Sequence, residues 1–390
     1  MKSLIIRLLR LLRLRRTRPD TFLIPAYAGL GNFIMATPMI LELKRRVPGA
    51  RIYLLTWPWY GTDQIFDAPV VASGRRRHSD SESSQSPVSG TFLLDPAAPV
   101  WRKVWFFLRL RSWRFRTAFI PFDACPPFVW WGFVVAGIPC IAAHSHESWD
   151  SKGVWVGRVP DVGEPINIVA HESDIHLDLL DAFCRKAGVS IPPERDYRTH
   201  MVADGPEALE KYGLVPGEYI VVQISAANAR FQSPKLWARE NWAELIRRFE
   251  SSGETVVLPG DDNEAALVDE FAAQEGFTKV VNIAGKTSVR DVSTVIKHAK
   301  LLVVHDSGLM HIGNAHGTPL LALYGPTDWN FTMPKAATSH ILKKDLPCQP
   351  CMARMAKTEQ EALRDCPIAV QCMTDITVDE VHQACREILG

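Results

Sequence analysis

The chain has 390 residues, 47% hydrophobic and 22% charged, and its 44 Lys and Arg nearly balance 43 Asp and Glu for a net charge of +1. This is ordinary globular composition with room for two domains, and it excludes a mainly disordered chain or a coiled coil. No overall basic field exists to hold nucleic acid, so none is expected as a partner.

Charge is nevertheless uneven. Residues 1–20 hold Lys2 and six arginines against Asp20, a net of +6, leaving −5 for the other 370. In M-K-S-L-I-I-R-L-L-R-L-L-R-L-R-R the arginines at 7, 10 and 13 interrupt the apolar stretch a signal peptide needs, and no small-residue cleavage site follows. Wound as a helix, Leu4, Ile5, Leu8, Leu11 and Leu12 share one side and the arginines the other. Residues 1–19 thus read as a basic amphipathic extension: either a solvated tail or, over 1–18, a peripheral contact with an anionic membrane.

Farther on, Thr21–Ala26 reads as a strand, Gly29-Leu30-Gly31 as a loop, the run to Arg46 as a helix, and Arg51–Thr56 as a second strand. Residues 73–90 are Ser-rich and nearly free of apolar side chains, which predicts a mobile loop. Val100–Arg111 reads as helical and Thr117–Phe122 as a strand ending at Asp123. The longest apolar run, Phe128–Ala143, has 16 residues broken by Gly132, Gly137 and Pro139. It is too short to span a bilayer, which needs about 20 residues, and reads as a buried helix followed by a strand. A cytoplasmic protein is expected, with at most peripheral contact at the inner face of the membrane.

Nine of the 12 tryptophans precede residue 160. Most read as packing, with Trp57, Trp59, Trp101 and Trp105 as an alternative lining for a sugar-binding groove. Mixed polarity with Pro and Gly over 188–216 suggests a domain junction. Beyond it, strands are predicted at Tyr219–Ile224, Thr255–Leu258, Leu301–His305 and Leu320–Tyr324, with helices starting near Arg239, Asn263 and Ser288 and a capping box opening a last helix at Thr377. The rhythm predicts two doubly wound, Rossmann-like α/β domains facing a cleft. Their bounds are an N-terminal domain over 20–200, a second domain over 201–375, and a C-terminal helix over 376–390.

Parallel sheets bind ligands at the carboxyl ends of their strands. Two strand-to-helix loops there have phosphate-binding character: Gly29-Leu30-Gly31-Asn32, and His305-Asp306-Ser307-Gly308 with His311 one turn on. The first lacks the third glycine and the acidic residue of a dinucleotide fingerprint, which weakens a nicotinamide enzyme. Asp-Ser before a helix is also an ordinary N-cap. A third constellation is Cys348-x2-Cys351-x14-Cys366-x5-Cys372, whose four thiols suit a closed tetrahedral site for structural zinc or iron; buried free thiols and disulfides are the alternatives. Cys125, Cys140, Cys184 and Cys385 read as apolar packing. No redox cofactor is expected.

The segments at 29–50, opening G-L-G-N-F-I-M-A-T-P, and at 305–328, opening H-D-S-G-L-M-H-I-G-N-A-H-G-T-P, resemble the two signatures of glycosyltransferase family 9, the heptosyltransferases, with K-L-W-A-R-E-N-W-A-E-L-I at 235–246 and V-V-L-P-G-D-D-N-E at 256–264 resembling its intervening blocks. The resemblance implies a GT-B fold and inverting transfer of a heptose-like sugar from ADP-heptose to a glycan or glycolipid acceptor, in lipopolysaccharide or other cell-surface glycan synthesis. It also implies donor contacts from Asn228, Lys235, Glu264, Asp306, Ser307, Gly308 and His311, and acceptor contacts from Gly31 and Asn32. Some members carry an iron-bound cysteine finger, which the four clustered cysteines resemble.

One departure matters. The lipopolysaccharide enzymes of the family place Asp, the base for the acceptor hydroxyl, where this chain has Asn32, and an amide has no useful basicity. Either another carboxylate serves, with Asp123 the candidate, or the acceptor differs and is, for example, a protein, or the chain binds nucleotide sugar without catalysis. Asp123 has a second reading as the cap of the turn at Cys125-Pro126-Pro127.

Overall fold

A computed structural model describes residues 18, 20–58, 61–71, 86–121, 125–145, 161–167, 169–225, 233–352 and 359–390. The basic extension, most of the Ser-rich loop, Trp59, Asp123 and Asn228 lie outside the described residues. Two compact units emerge. One comprises Met1–Ile168 with Glu172–Arg198, the other Val169–His171 with Thr199–Gly390.

The first unit holds β1 (Thr21–Pro25), α1 (Leu30–Arg46), β2 (Arg51–Thr56), β3 (Gly90–Leu93), α2 (Val100–Leu110), β4 (Thr117–Ile120), α3 (Pro127–Val135), β5 (Cys140–Ser145), β6 (Val162–Pro165) and α4 (Glu172–Ala187). The second holds β7 (Tyr219–Val222), α5 (Arg239–Ser251), β8 (Thr255–Leu258), α6 (Ala265–Glu275), β9 (Val280–Asn282), α7 (Val289–Lys297), β10 (Leu301–His305), α8 (Gly308–His316), β11 (Leu320–Tyr324), α9 (Trp329–Thr332), β12 (Ser339–Lys343), α10 (Glu359–Arg364), α11 (Gln371–Thr374) and α12 (Val378–Leu389).

The six strands of each unit form a wholly parallel sheet, in the orders β3-β2-β1-β4-β5-β6 and β12-β11-β10-β7-β8-β9. In both, the strand order reverses at the centre, between β1 and β4 and between β7 and β10, and such a reversal opens the crevice where doubly wound sheets bind ligands. Both sheets are covered on two faces, so their central strands are uninterrupted apolar runs. In the first, Leu23, Leu55 and Ile120 pack with Phe107, Trp113 and Phe133 under α2 and α3. On the opposite face Phe22 and Phe119 meet Phe183 of α4 edge-on, with ring centroids 6.0 and 5.0 Å apart.

A buried ionic network joins α1 to α4. Arg46 pairs with Glu42 at 2.8 Å and with Asp181, and Arg195 bonds Asp181 at 2.7 Å and Asp178 at 2.5 Å. Buried charges persist only when paired in this way.

Two details differ from the sequence reading. The expected loop does not extend to residue 90: Val88 is buried, and Gly90 begins β3, because Val88 and Phe92 supply apolar anchors at the end of the serine run. Ser307 does not cap α8 through its side chain.

At the other helix ends the caps are as read. Ser288 with Asp291 and Thr377 with Glu380 form reciprocal capping boxes. The Lys344 ammonium, 2.6 Å from Glu380, and the backbone N–H of Thr377 hold the Glu380 carboxyl down at about 2. A depressed acid stabilises the fold above its unfolded value near 4.5, and that contribution is lost as pH falls toward 2. Because the group is largely exposed, Glu380→Gln is expected to cost only about 1 kcal/mol at pH 7. Denaturant midpoints of the two proteins should converge as the pH approaches 2.

Candidate functional site

In the second unit the crevice at the strand reversal is built by the loops after β7 and β10. Ser307 adopts extended backbone before α8, and its hydroxyl donates to Gln223 Oε1 at 2.5 Å, just past β7. The hydroxyl is therefore spent on cross-linking the two loops, and among the described residues Ser307 gives the nine-residue α8 no side-chain cap. Such an end favours anions. Asp306 lies close enough to Tyr324 that burial and this carboxylate together push the phenol well up, while His311 is buried on the first turns of α8.

Lys235 belongs to the same locality. The backbone N–H of Trp237, two residues on, donates to His305 Nε2 at 2.9 Å, and the Trp237 indole donates to the Ile376 carbonyl at 2.8 Å. Trp242 then packs edge-on against both Trp237 and His305. Full burial, with the Lys235 charge nearby, pulls His305 down to about 3, so it is a neutral acceptor at neutral pH. The Lys235 ammonium pairs with Glu359 at 3.2 Å and stays partly exposed.

Glu264 sits at the start of α6 and accepts from the Asp261 N–H at 2.9 Å. Its Oε1 and the Ser225 hydroxyl oxygen are buried without a well-formed hydrogen bond among the described residues. Burial raises the Glu264 carboxyl, with the Asp261 N–H and the neighbouring Ser225 hydroxyl opposing it. Two neighbouring buried polar groups whose hydrogen-bonding capacity is not filled by well-formed bonds are what a site for ligand hydroxyls contains. Lys235, Asp306, Ser307, Gly308 and His311 thus gather around β10, Glu264 stands at the end of β8, and Asn228 lies outside the described residues.

In the first unit, Gly31 is buried and Asn32 is exposed on the first turn of α1, after β1. Asn32 Nδ2 donates to both carboxylate oxygens of Glu172, each at 3.1 Å. Glu172 is buried at the start of α4 and lies 3.6 Å from His176, one turn on. The neighbouring Ser173 hydroxyl donates to the Met35 carbonyl at 2.9 Å and pins the two helices together. A carboxylate that only accepts draws the amide nitrogen inward, which turns Asn32 Oδ1 away from it.

Sequence reasoning missed Glu172, His176, Gln223 and Ser225, and read His305 only as the strand end that opens the second loop. The lone available signal for Glu172 was an acidic residue opening an amphipathic helix, which is commonplace. Of the tryptophans suggested for a groove, Trp57 packs partly buried against the core, whereas Trp101 and Trp105 are exposed on α2.

The four clustered cysteines line one cavity of about 260 Å³, with Pro234 and Pro326 on its wall. Burial and the neighbouring thiols Cys351, Cys366 and Cys348 push Cys372 up to about 11. The geometry falls short of the closed site expected from the spacing: among the described residues no three His, Cys, Asp or Glu side chains assemble at metal-binding distances, and 353–358, between the second and third cysteines, lie outside them. No disulfide joins any of the eight cysteines. The cysteine segment is tied to the loop after β11: Gln349 donates to the Gly325 carbonyl at 2.6 Å and the Met352 N–H to Pro326 at 2.8 Å. A Cβ on Gly325 would stand 2.5 Å from Met373 Sδ, so a larger residue there would have to displace the Met373 side chain.

Two parallel six-stranded sheets with the same central reversal, each with helices on both faces, define an α/β protein of the GT-B type. Residues 186–362 match glycosyltransferase family 9 (heptosyltransferase). The chain is 31% identical over 159 residues to lipooligosaccharide heptosyltransferase 2 of Haemophilus influenzae, a match covering 39% of this chain and 46% of that protein. The chain thus spans less than half the length of this curated relative. The fold is similar to that of E. coli ADP-heptose lps heptosyltransferase II, with a TM-score of 0.68 and 18% identity over 95% of this chain and 98% of the other. It is also similar to the iron-containing dodecameric glycosyltransferase TibC from enterotoxigenic E. coli, with a TM-score of 0.54 and 12% identity over 96% of this chain and 77% of the other. Among the described residues no helix is long and apolar enough to cross a membrane.

Proposed function

We propose that the chain is an inverting glycosyltransferase that moves a heptose-like sugar from ADP-heptose to a glycan or glycolipid acceptor in cell-surface glycan synthesis. The observation that carries this reading is the uncapped N-terminus of α8, cross-linked through Ser307 to Gln223, with Lys235 on the adjoining loop. Cleaving a sugar–diphosphate bond develops negative charge on the leaving group, and aligned N–H groups with a nearby ammonium meet that charge without reorganising. In this reading Lys235, Ser307 and Gly308 hold the diphosphate, Asp306 and His311 the sugar, and Glu264 with Ser225 the ribose hydroxyls; Asn228 remains a further donor contact.

The acceptor belongs to the first unit at Gly31 and Asn32. Glu172 takes the place of the missing aspartate: Asn32 Oδ1, not basic by itself, takes the acceptor hydroxyl's proton only as Nδ2 passes one to Glu172. Once the product leaves, Glu172 returns that proton to the nitrogen and the Oδ1 proton passes to water, restoring amide and carboxylate. Asp123 is the competing carboxylate. Support for the cysteine segment as a structural zinc or iron site comes from its donor set, four thiols around one cavity. Support for a peripheral membrane contact through residues 1–18 comes from the charge of that segment.

A thermal-shift screen of ADP-, UDP- and GDP-linked sugars tests the donor. A ligand at 100 times its Kd adds about 2.7 kcal/mol, or roughly 5–11 °C for a unit of this size. ADP-heptose is expected to stand alone, and Lys235→Ala to abolish most of its shift. A larger shift with a UDP sugar would reject the donor assignment.

A further inference from the structure

Helix α2 presents an apolar stripe to solvent. Trp101, Val104, Trp105 and Leu108 recur at the helical i, i+3, i+4 and i+7 positions and are 65, 42, 52 and 42% exposed, while Phe107 and Leu110 on the opposite side are buried in the core. The inward side is closely fixed: Phe107 lies where a Cβ on Gly132 of α3 would stand, so the helix is seated directly on its neighbour. Turning the stripe inward would undo that contact. Large apolar side chains set in a row on a surface mark an interaction site.

Charge identifies the occupant. From Val100 to Leu110 the helix carries Arg102, Lys103 and Arg109 and no acidic residue. Arg102 and Arg109 lie over the rings of Trp101 and Trp105, 5.2 and 5.3 Å from their centroids, so cations flank the stripe itself. Tryptophan beside arginine on a helix lying flat is the combination that sits at the headgroup level of a bilayer, its rings at the acyl boundary and its cations among the phosphates. A second copy of the chain would set this basic face against itself, and residues 1–20, at +6, carry the same sign.

We infer that α2 is a membrane-docking helix that lays Trp101, Val104, Trp105 and Leu108 into the interface of an anionic bilayer. This surface is separate from residues 1–18 and independent of which sugar is transferred. Docking would place the acceptor-side unit at the surface where a lipid-anchored acceptor is displayed.

The test is sedimentation of the full chain with vesicles of phosphatidylcholine alone or with 30 mol% phosphatidylglycerol. The wild type is expected to partition onto the anionic vesicles, and Trp101→Ser/Trp105→Ser to lower partitioning by about tenfold or more. Arg102→Gln should lower it by about fivefold and flatten its salt dependence. Deletion of residues 1–18 should leave the two-tryptophan effect in place. Circular dichroism and the ADP thermal shift of the variants should match the wild type, since the substituted side chains are exposed. Equal partitioning of wild type and variant, equal binding to both lipid compositions, or a wild-type dimer that the substitutions convert to a monomer would each overturn the assignment.

Discussion

Glu172→Gln is expected to lower the rate of glycosyl transfer by about 10²- to 10³-fold, within the range that a positioned general base contributes, while ADP affinity is unchanged. The substitution preserves shape but removes the only property the Asn32–Glu172 pair needs, a carboxylate accepting from Asn32 Nδ2 through both oxygens. A Gln side chain offers an N–H where a carboxylate oxygen stood, so the Asn32 amide loses its reason to turn Oδ1 outward. Asn32→Asp alone would put two carboxylates at hydrogen-bond distance. Such a pair retains a shared proton and is a weak base until the second proton leaves, so its rate should be low at neutral pH and climb as pH rises. The double variant Asn32→Asp/Glu172→Gln moves the carboxylate back to position 32, and a Gln N–H can hold it there. Recovery to within about tenfold of the wild-type rate is the expected result, and a purely structural Glu172 would give no recovery. Should Asp123→Asn abolish transfer while Glu172→Gln leaves it intact, the base is Asp123. Because the proposed nucleotide contacts belong to the other unit, ADP binding in every variant separates failure of this base assignment from failure of the donor assignment.

The contrast between these two halves of the candidate site explains what was legible in the sequence. Strands β8, β10 and β11 coincide with the predicted ranges because parallel strands covered on both faces are continuous apolar runs ended by polar residues. The strands at or near the sheet edges, Val162–Pro165, Val280–Asn282 and Ser339–Lys343, are partly exposed and mixed in polarity, and no periodicity announces them. Donor-side candidates such as Asp306, Ser307, Gly308 and His311 lie within one strand-to-helix turn, so local spacing carries them. Glu172 is 140 residues from Asn32, and only the packing of α4 on α1, locked by Arg46 and Ser173, brings them together. His305 hid as an ordinary strand end, because what distinguishes it is the tertiary bond from the Trp237 N–H.

Removal of one cysteine from the cluster is the second large effect expected. Purified from cells, the chain should carry about one zinc or iron per molecule, and Cys351→Ser or Cys372→Ser should release it and lower stability by about 3–5 kcal/mol, the range reserved for loss of a metal or buried network. For a unit of this size that is a fall in Tm of roughly 6–20 °C. The reason is electrostatic. Four thiols share a cavity of about 260 Å³, and each ionised neighbour raises the cost of ionising Cys372, which stands near 11. A bound divalent cation reverses that sign, since thiolates around a cation are favoured where thiolates around one another are not. Affinity should accordingly fall as the pH is lowered and protons compete for sulfur. The consequence reaches the donor side through Pro234, which lines the cavity beside Lys235, and through Pro326, whose carbonyl accepts from Met352. Chelation at neutral pH should therefore weaken ADP binding as well as stability, and restoring the metal should recover both. Metal content well below one per chain, together with an unchanged Tm in both serine variants, would leave the cluster as four buried thiols packed for their apolar surface alone.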